Sequence, residues 1–416
     1  MDVRVQDGRI AELAAPGSIE ADGAAELIDG AGRLTAVPAF FDPHVHLRTP
    51  GQEHKEDLES GTRAAAAGGF AGVIAMPNTD PVLDSAPLLR SVRDAAARHA
   101  RVPVGFLPAI TRGLGGEQLS EMAELRAEGA LGFSDDGKPV RSAGMLRKAL
   151  QYQRLCGGVL ALHEEDPTLS RGGSMNEGAV SAALGIAGIP TIAESTMLAR
   201  DAALAGYEQA RVHFQHLSCA ASVEGVALGK SKGWLLSAEV SPHHLLLTEE
   251  HVRGLDTRMK MHPPLSSESD RQALIEGLRD GTIDCVATDH APHARDEKEV
   301  PFEQAPMGTT GLETSFAALH TELVLPGVIG LGLLLERMSA GAALFGLPAP
   351  LIALGEVANI AVLGLDTEWV AGEHGWESRS ENCCFAGRRL QGRVLATLAA
   401  GALAHRDRSL TLAAAQ

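Results

Sequence analysis

The stretch FFDPHVHLR at residues 40–48 decides the fold, because an apolar run that starts at Leu34 leads directly into it. Such a run predicts a buried strand, and this strand ends in two histidines at spacing i, i+2. Alternate side chains of a strand share a face, so His44 and His46 are predicted to point together. Two neighbouring imidazoles can reach one cation, and Arg48, on the same face, carries a guanidinium suited to binding a carboxylate. The histidine pair alone is a weak indication of a metal site, and its meaning depends on the later strands.

Apolar strands and helices alternate over most of the chain. The predicted strands are residues 35–41, 72–76, 102–108, 130–133, 159–162, 212–214, 234–240 and 283–287. The predicted helices are residues 58–67, 88–97, 119–128, 143–155, 196–205, 222–232 and 270–277. This alternation predicts an α/β protein with a parallel (β/α)8, TIM-like barrel. An open doubly wound sheet is the alternative, and the lack of a GxGxxG or Walker loop after the first strand disfavours it.

Short β patterns flank the barrel pattern on both sides. Residues 3–13 alternate around a hairpin turn at Asp7-Gly8. Residues 360–363 and 392–398 predict further short strands. We therefore predict a small β-sandwich domain formed by both termini. The predicted segments are 1–38 (first part of the small β domain), 39–345 (barrel) and 346–416 (second part of the small β domain).

Composition excludes several classes of partner. The 416 residues include 36 Lys and Arg against 53 Asp and Glu, a formal net charge of −17, which disfavours nucleic acid or an anionic membrane as partner. Five cysteines, an odd number without CxxC spacing, favour a reducing compartment over a disulfide framework. No signal peptide and no run of membrane-spanning length is evident, so we expect a cytoplasmic protein.

The ends of the predicted strands are unusually polar, and in a barrel of this kind the strand ends form the active site. The residues at these ends are His44 and His46 (strand 1), Asn78 (strand 2), Asp135 and Asp136 (strand 4), His163 (strand 5), His216 (strand 6) and Asp289 (strand 8). Four histidines, Asp289 and one aspartate of the Asp135-Asp136 pair are too many ligands for one tetrahedral ion. They suit two ions that share a bridging carboxylate and a bridging hydroxide. Such ions lower the pKa of bound water to about 7 and polarise a carbonyl group.

Several other histidines have simpler interpretations. Strand alternation places His213 on the face opposite to His216, so we interpret it as a packing residue. His290 follows Asp289 and is expected to point to the other face. For His243 and His244, which follow a proline, a turn or helix start is at least as good an interpretation as catalysis.

These motifs resemble the class I dihydroorotases of the amidohydrolase superfamily, along nearly the whole chain. The segments that carry the resemblance are DPHVHLR at 42–48, MPNT at 76–79, FSDDG at 133–137, MNEG at 175–178, EVSPHH at 239–244 and TDHAPH at 288–293. The resemblance implies a zinc-dependent cyclic amidase that interconverts N-carbamoyl-L-aspartate with L-dihydroorotate and water in de novo pyrimidine biosynthesis.

The resemblance also implies a role for each site residue. His44 and His46 would hold one zinc, and His163 and His216 the other. Asp136 would bridge them with a nucleophilic hydroxide, and no carbamylated lysine is expected, because the matching position is aspartate. Asp289 would act as general base and then general acid. The implied substrate-binding residues are His46, Arg48, Asn78, His262, His293, Met307 and Gly308.

Two departures from the family pattern keep alternatives open. His262 stands where the family usually has asparagine, and Met307-Gly308 stands where it usually has Phe-Gly. A hydantoinase or allantoinase is one alternative, disfavoured by Asp136 at the bridging position and by Arg48 and Asn78, which suit a substrate with a carboxylate. An inactive pseudo-dihydroorotase that serves as a scaffold is the other, disfavoured because all six metal positions are retained. For partners, the resemblance implies the small-molecule substrate and leaves a homodimer and aspartate transcarbamoylase as open alternatives.

Overall fold

The computed structural model describes residues 2–20, 26–30 and 32–410. Its strands are β1 Asp2–Gln6, β2 Arg9–Ala14, β3 Thr35–Pro38, β4 Phe40–Val45, β5 Phe70–Ala75, β6 Val104–Phe106, β7 Phe133–Ser134, β8 Leu160–Leu162, β9 Met175–Asn176, β10 Gly188–Ile189, β11 Val212–Phe214, β12 Leu236–Val240, β13 Cys285–Val286, β14 Ile360–Val370, β15 Arg389–Ala399 and β16 Ala402–Arg406. Its α-helices are α1 Leu58–Ala67, α2 Ala86–His99, α3 Met122–Ala127, α4 Ala143–Cys156, α5 Ala179–Leu184, α6 Ile192–Glu208, α7 Ala220–Ser231, α8 Pro242–Leu246, α9 Glu268–Asp280, α10 Arg295–Lys298, α11 Ser315–Leu319, α12 Leu331–Ser339 and α13 Gly341–Leu344.

Eight parallel strands form a closed ring. Ladders join β4, β5 and β6 in one set and β7, β8, β11, β12 and β13 in another. Backbone hydrogen bonds close both gaps between the sets, from Leu131 N to Phe106 O (3.1 Å) and from His46 N to His290 O (2.9 Å). Helices follow the strands around the ring, so the predicted (β/α)8 barrel is confirmed.

The first predicted strand, residues 35–41, is wrong as a single element. Its first half is β3, which pairs antiparallel with β14, and its second half belongs to β4, which pairs in parallel with β5. β4 also continues past Phe41, because the Asp42 carboxylate accepts hydrogen bonds from His44 N (3.0 Å) and Thr288 Oγ1 (2.5 Å) inside the barrel. The polar side chain of Asp42 suggested that the strand ends before it. Because this carboxylate is buried and hydrogen-bonded, the strand instead continues to Val45.

The two termini contribute to one antiparallel sheet. β3 from the N-terminal part pairs with β14, and β14 pairs with β15, which pairs with β16. The predicted hairpin is β1–β2, and both turn residues, Asp7 (φ 51°) and Gly8 (φ 74°), have the positive φ that a two-residue turn requires. The hairpin reaches the C-terminal part through a hydrogen bond from Ile10 N to Glu356 O (2.9 Å). The division of the chain at residues 38 and 345 stays a prediction.

Buried apolar side chains pack against the barrel strands in separate clusters. On the outer face of the strands, Phe40 packs edge-on against Phe70 and stacks on Phe316, with ring centroids 5.7 and 5.5 Å apart. A second buried cluster includes Phe41 and Phe345.

In the part of the chain that the structure describes, no helix combines the length and apolarity needed to cross a bilayer.

Helix α4 offers a matched test of this packing, because Leu150 on it is 0% exposed and Leu155 is 86% exposed. We expect Leu150→Ala to lower the free energy of unfolding by about 2–5 kcal/mol, since it leaves a cavity between α4 and the barrel. Leu155→Ala should change it by less than about 0.5 kcal/mol. Chemical denaturation of both variants checks the prediction, and equal losses would contradict it.

Candidate metal centre

The six predicted metal ligands meet at the C-terminal mouth of the barrel. Asp136 is central: its Oδ1 lies 3.5 Å from His44 Nε2, 3.7 Å from His163 Nδ1 and 3.6 Å from His216 Nε2. Its Oδ2 lies 3.5 Å from His46 Nε2. One carboxylate thus faces four imidazole rings, which come from the ends of three strands, β4, β8 and β11.

Asp289 faces the two histidines at the end of β4, His44 and His46. Its Oδ1 lies 3.1 Å from His46 Nε2 and 3.5 Å from His44 Nε2. Three groups of side-chain atoms at the mouth are compact enough to hold an ion. Two of them share His44 (His44, His46 and Asp289; His44, Asp136 and His216), and the third joins His163 to Glu165 and His262.

The donor set fits divalent cations. His44 Nε2, which faces both Asp136 and Asp289, is buried and has no hydrogen-bond partner among the described residues. His163 Nδ1 and His216 Nε2 approach to 2.9 Å. Buried nitrogen and carboxylate donors that converge in this way are the ligands that Zn²⁺ prefers.

The geometry distinguishes the two neighbouring aspartates of the FSDDG motif. Asp135 turns away and accepts hydrogen bonds from Thr111 N (3.0 Å) and the Thr111 hydroxyl. Burial raises the pKa of Asp135 to about 6, although these bonds oppose the shift. Burial alone would also raise the pKa of Asp136, but the surrounding histidines, His44 first, outweigh it and hold that pKa well below its usual value. Asp136 is the aspartate that faces the histidines.

Asn78 and Arg48 lie beside this cluster. The Asn78 Oδ1 accepts from His46 Nδ1 at 2.8 Å, so Asn78 orients a candidate ligand in addition to lining the mouth. Arg48 has a left-handed backbone (φ 58°), and its Nε donates to Pro292 O at 3.1 Å. Burial lowers the pKa of Arg48 to about 10, which leaves it cationic at neutral pH.

The remaining predicted substrate residues lie on the loops after β12 and β13. His293 Nε2 donates to Met307 O at 2.8 Å, and burial lowers the pKa of His293 to about 2, so its ring is neutral. Gly308 (φ 136°) lies so close to Ala291 that a Cβ there would come within 2.8 Å of the Ala291 Cβ. His262 contacts the Glu165 carboxylate, and its ring centroid lies 4.6 Å from that of His163.

Sequence reasoning missed two residues that hold this arrangement together. Glu239 accepts from His44 Nδ1 at 2.6 Å. Asn382, far away in the C-terminal part, donates to Ala291 O and Gly308 O, each at 3.1 Å. The motif EVSPHH contained Glu239, but nothing local in the sequence indicated either contact.

The other histidines behave in three ways. His290 turns away from Asp289, as predicted, and faces Glu56 (3.2 Å). His243 and His244 lie in the first turn of α8, in agreement with a helix start. His213, however, points into the barrel together with His216. The alternation rule failed there because His216 has a left-handed backbone (φ 33°), which breaks the extended pattern.

Comparisons with known proteins agree with one another. A family model described as Dihydro-orotase-like matches residues 32–224. The chain is 45% identical over 411 residues to a dihydroorotase from Anaeromyxobacter dehalogenans (strain 2CP-C), covering 97% of this chain and 93% of the relative. It is 44% identical over 408 residues to a dihydroorotase from Pelotomaculum thermopropionicum, covering 98% and 94%.

Solved structures share the fold. An L-hydantoinase (dihydropyrimidinase) from Arthrobacter aurescens superposes with a TM-score of 0.87 at 25% identity, covering 98% of this chain and 93% of its own. A dihydropyrimidinase from Brevibacillus agri NCHU1002 superposes with a TM-score of 0.80 at 22% identity, covering 99% and 93%.

The neighbouring aspartates provide a matched test of the metal centre. We expect Asp136→Asn to lose most bound divalent metal, since the amide removes the charge that faces four imidazoles. Asp135→Asn should retain it, because the Asp135 carboxylate bonds Thr111 and does not face the histidines. Elemental analysis of the purified variants checks this, and equal metal content in the two would contradict the assignment.

Proposed function

Because this chain belongs to the dihydroorotase family, we propose that it acts as a dihydroorotase, a hydrolase of a cyclic amide C–N bond. The observation that carries the proposal is the similarity to curated dihydroorotases, 45% identity over 97% of the chain. The reaction is the reversible conversion of N-carbamoyl-L-aspartate to L-dihydroorotate and water. The convergence of six ligand side chains at the barrel mouth supports it, because amide hydrolysis of this kind is metal-assisted.

We propose further that the centre holds two zinc ions. His44 and His46 would bind one ion, His163 and His216 the other, and Asp136 would bridge them. The distances of Asp136 from all four rings, none above 3.7 Å, support the bridging role. When bound, the ions lower the pKa of a water molecule to about 7 and polarise the amide carbonyl.

Asp289 is the proposed acid-base group, and we count it also among the metal ligands. Its carboxylate lies on the same side of the cluster as His44 and His46, so it can take a proton from the attacking water. The same carboxylate can then deliver that proton to the leaving ring nitrogen. In the direction of ring closure, the two transfers run in reverse.

The residues on the rim are proposed to bind the substrate. Arg48 offers a charged guanidinium, fixed through Pro292 O, that suits the substrate carboxylate. Asn78 and the neutral His293 would add neutral hydrogen-bonding groups to this contact. The backbone at Met307-Gly308 would line the pyrimidine ring, with His262 and His46 on the other sides.

The hydantoinase alternative rests on the fold, since the superposed structures are hydantoinases and dihydropyrimidinases. The fold does not distinguish the substrates. Asp136 at the bridge and the buried cation of Arg48 favour a substrate with a carboxylate. The inactive-scaffold alternative is disfavoured because all six ligand positions are present and brought together.

Assembly and location are further proposals. A homodimer and a complex with aspartate transcarbamoylase stay predictions. The small-molecule substrate is implied by the activity itself. The five cysteines are all free thiols, which supports the proposed cytoplasmic location, because disulfides persist in oxidising compartments.

A substrate panel tests the function. The purified chain, loaded with zinc, should hydrolyse L-dihydroorotate with a kcat/KM at least tenfold above that for hydantoin or allantoin. A preference for either of the latter, or no turnover of any of the three, would overturn the assignment. The reverse reaction, cyclisation of N-carbamoyl-L-aspartate at mildly acidic pH, provides an independent readout.

Arg48 provides the control for that preference. Arg48→Gln should lower kcat/KM for dihydroorotate by about 10- to 100-fold, the worth of a hydrogen bond to a charged group. Arg90→Gln, a matched change on the exposed side of α2, should leave it unchanged.

The acid-base role gives a separate prediction. Asp289→Asn should keep its bound metal, because the amide oxygen can remain a ligand, and should lose turnover by about 100- to 10,000-fold, because an amide cannot accept the proton. Metal content and the rate of dihydroorotate hydrolysis are measured on the same sample. Substantial remaining turnover would remove Asp289 from this role.

A further inference from the structure

A buried relay of polar side chains runs beneath the metal centre. His44 and His213 are each 0% exposed, and Glu239 between them is 1% exposed. Glu239 Oε1 lies 2.6 Å from His44 Nδ1, and Glu239 Oε2 lies 3.0 Å from His213 Nε2. The far nitrogen of His213, Nδ1, lies 2.9 Å from Ser237 Oγ. The relay therefore joins β4, β11 and β12 through side chains alone.

Glu239 touches both halves of the proposed centre. Besides His44, a ligand of the first ion, it accepts a hydrogen bond from the backbone N–H of His216 at 3.2 Å. His216 is the residue whose left-handed backbone turns its ring into the mouth. One carboxylate thus contacts a ligand ring of one ion and the backbone of a ligand of the other.

The hydrogen bonds of the relay fix the orientation of both rings. The carboxylate oxygens of Glu239 accept from His44 Nδ1 and His213 Nε2. His44 Nε2 then points at Asp136 and Asp289, where an ion would lie. His213 Nδ1 lies within hydrogen-bond distance of the Ser237 hydroxyl.

The two histidines of the His-x-His pair differ in this respect. His46 Nδ1 is held by a neutral amide, Asn78, whereas His44 Nδ1 is held by a carboxylate. A carboxylate partner makes the opposite ring nitrogen a better donor to a metal than an amide partner does. The first ligand position is therefore the more strongly supported of the pair.

We propose that Glu239 is a positioning residue that sets the metal affinity of the centre, by fixing the His44 ring and the His216 backbone, and that His213 acts by holding Glu239. This inference rests on the metal centre of the proposed function. Partners of this kind contribute about 10- to 100-fold to metal affinity. In this proposal Glu239 acts through His44 and His216 and is not itself a ligand of the ions.

The test measures metal binding rather than turnover. Dissociation constants for Zn²⁺ are determined by competition with a chelator, and the visible spectrum of the Co²⁺-loaded chain reports the ligand geometry. Glu239→Gln should weaken metal binding by about 10- to 100-fold and shift the Co²⁺ spectrum. Glu313→Gln is the matched control, because Glu313 is a half-buried carboxylate outside the metal centre that accepts from Glu377 N and Ser378 N.

A second variant keeps the test informative if Glu239→Gln does not fold. His213→Gln should weaken metal binding less than Glu239→Gln, and the double variant should be no weaker than Glu239→Gln alone, because His213 acts only through Glu239. A folded Glu239→Gln, or His213→Gln in its place, with wild-type metal affinity and an unchanged spectrum would overturn the inference. Failure of the wild-type chain to bind metal or to hydrolyse dihydroorotate would instead overturn the proposed function.

Discussion

The architecture of the site depends on one constraint, which is that every charge buried at the barrel mouth needs an opposite charge or a hydrogen bond within the protein. An unpaired carboxylate in such a place costs several kcal/mol, on the order of the whole stability margin of a domain. Asp136 meets the constraint with four imidazoles, and Glu239 meets it with His44, His213 and a backbone N–H. The cluster still leaves His44 Nε2 without a hydrogen-bond partner among the described residues. A divalent cation is the species that completes it.

Backbone geometry at the strand ends makes this clustering sterically achievable. Arg48, His216 and Asp289 all have positive φ, between 33° and 58°, which residues other than glycine adopt rarely and at a cost of about 1–3 kcal/mol each. Local hydrogen bonds hold them there. Glu239 accepts from His216 N, and Thr288, next to Asp289, bonds Asp42. The departure from extended geometry turns side chains into the mouth that strict alternation would have left outside.

The sequence predicted the features that follow from local patterns of residues. It did not predict contacts between residues that lie far apart along the chain. Alternation of strands and helices was enough to predict the barrel, and the polar strand ends pointed to all six ligand candidates that the structure brings together. The residues alone did not distinguish Asp136 from Asp135; the resemblance chose Asp136, and the contact of Asp135 with Thr111 agrees with that choice. The direction of His213 needed the φ of His216. Glu239 lies 195 residues from the His44 it orients. Asn382 lies 74 residues or more from the two carbonyls it binds. Neither contact has any signature in the flanking residues.

His262 shows how a departure from the family pattern can be accommodated. The ring contacts the Glu165 carboxylate, and this contact lowers the pKa of Glu165 to about 2 although burial alone would raise it. The carboxylate therefore stays ionised and can hold the imidazole through one nitrogen, which leaves the other ring nitrogen for a different partner. An asparagine at this position would need no such partner. Because His262 and Glu165 contact each other, a change at position 262 also changes what holds the Glu165 carboxylate. The pocket wall therefore keeps a fixed polar group at position 262, although this group is an imidazole and not the usual amide.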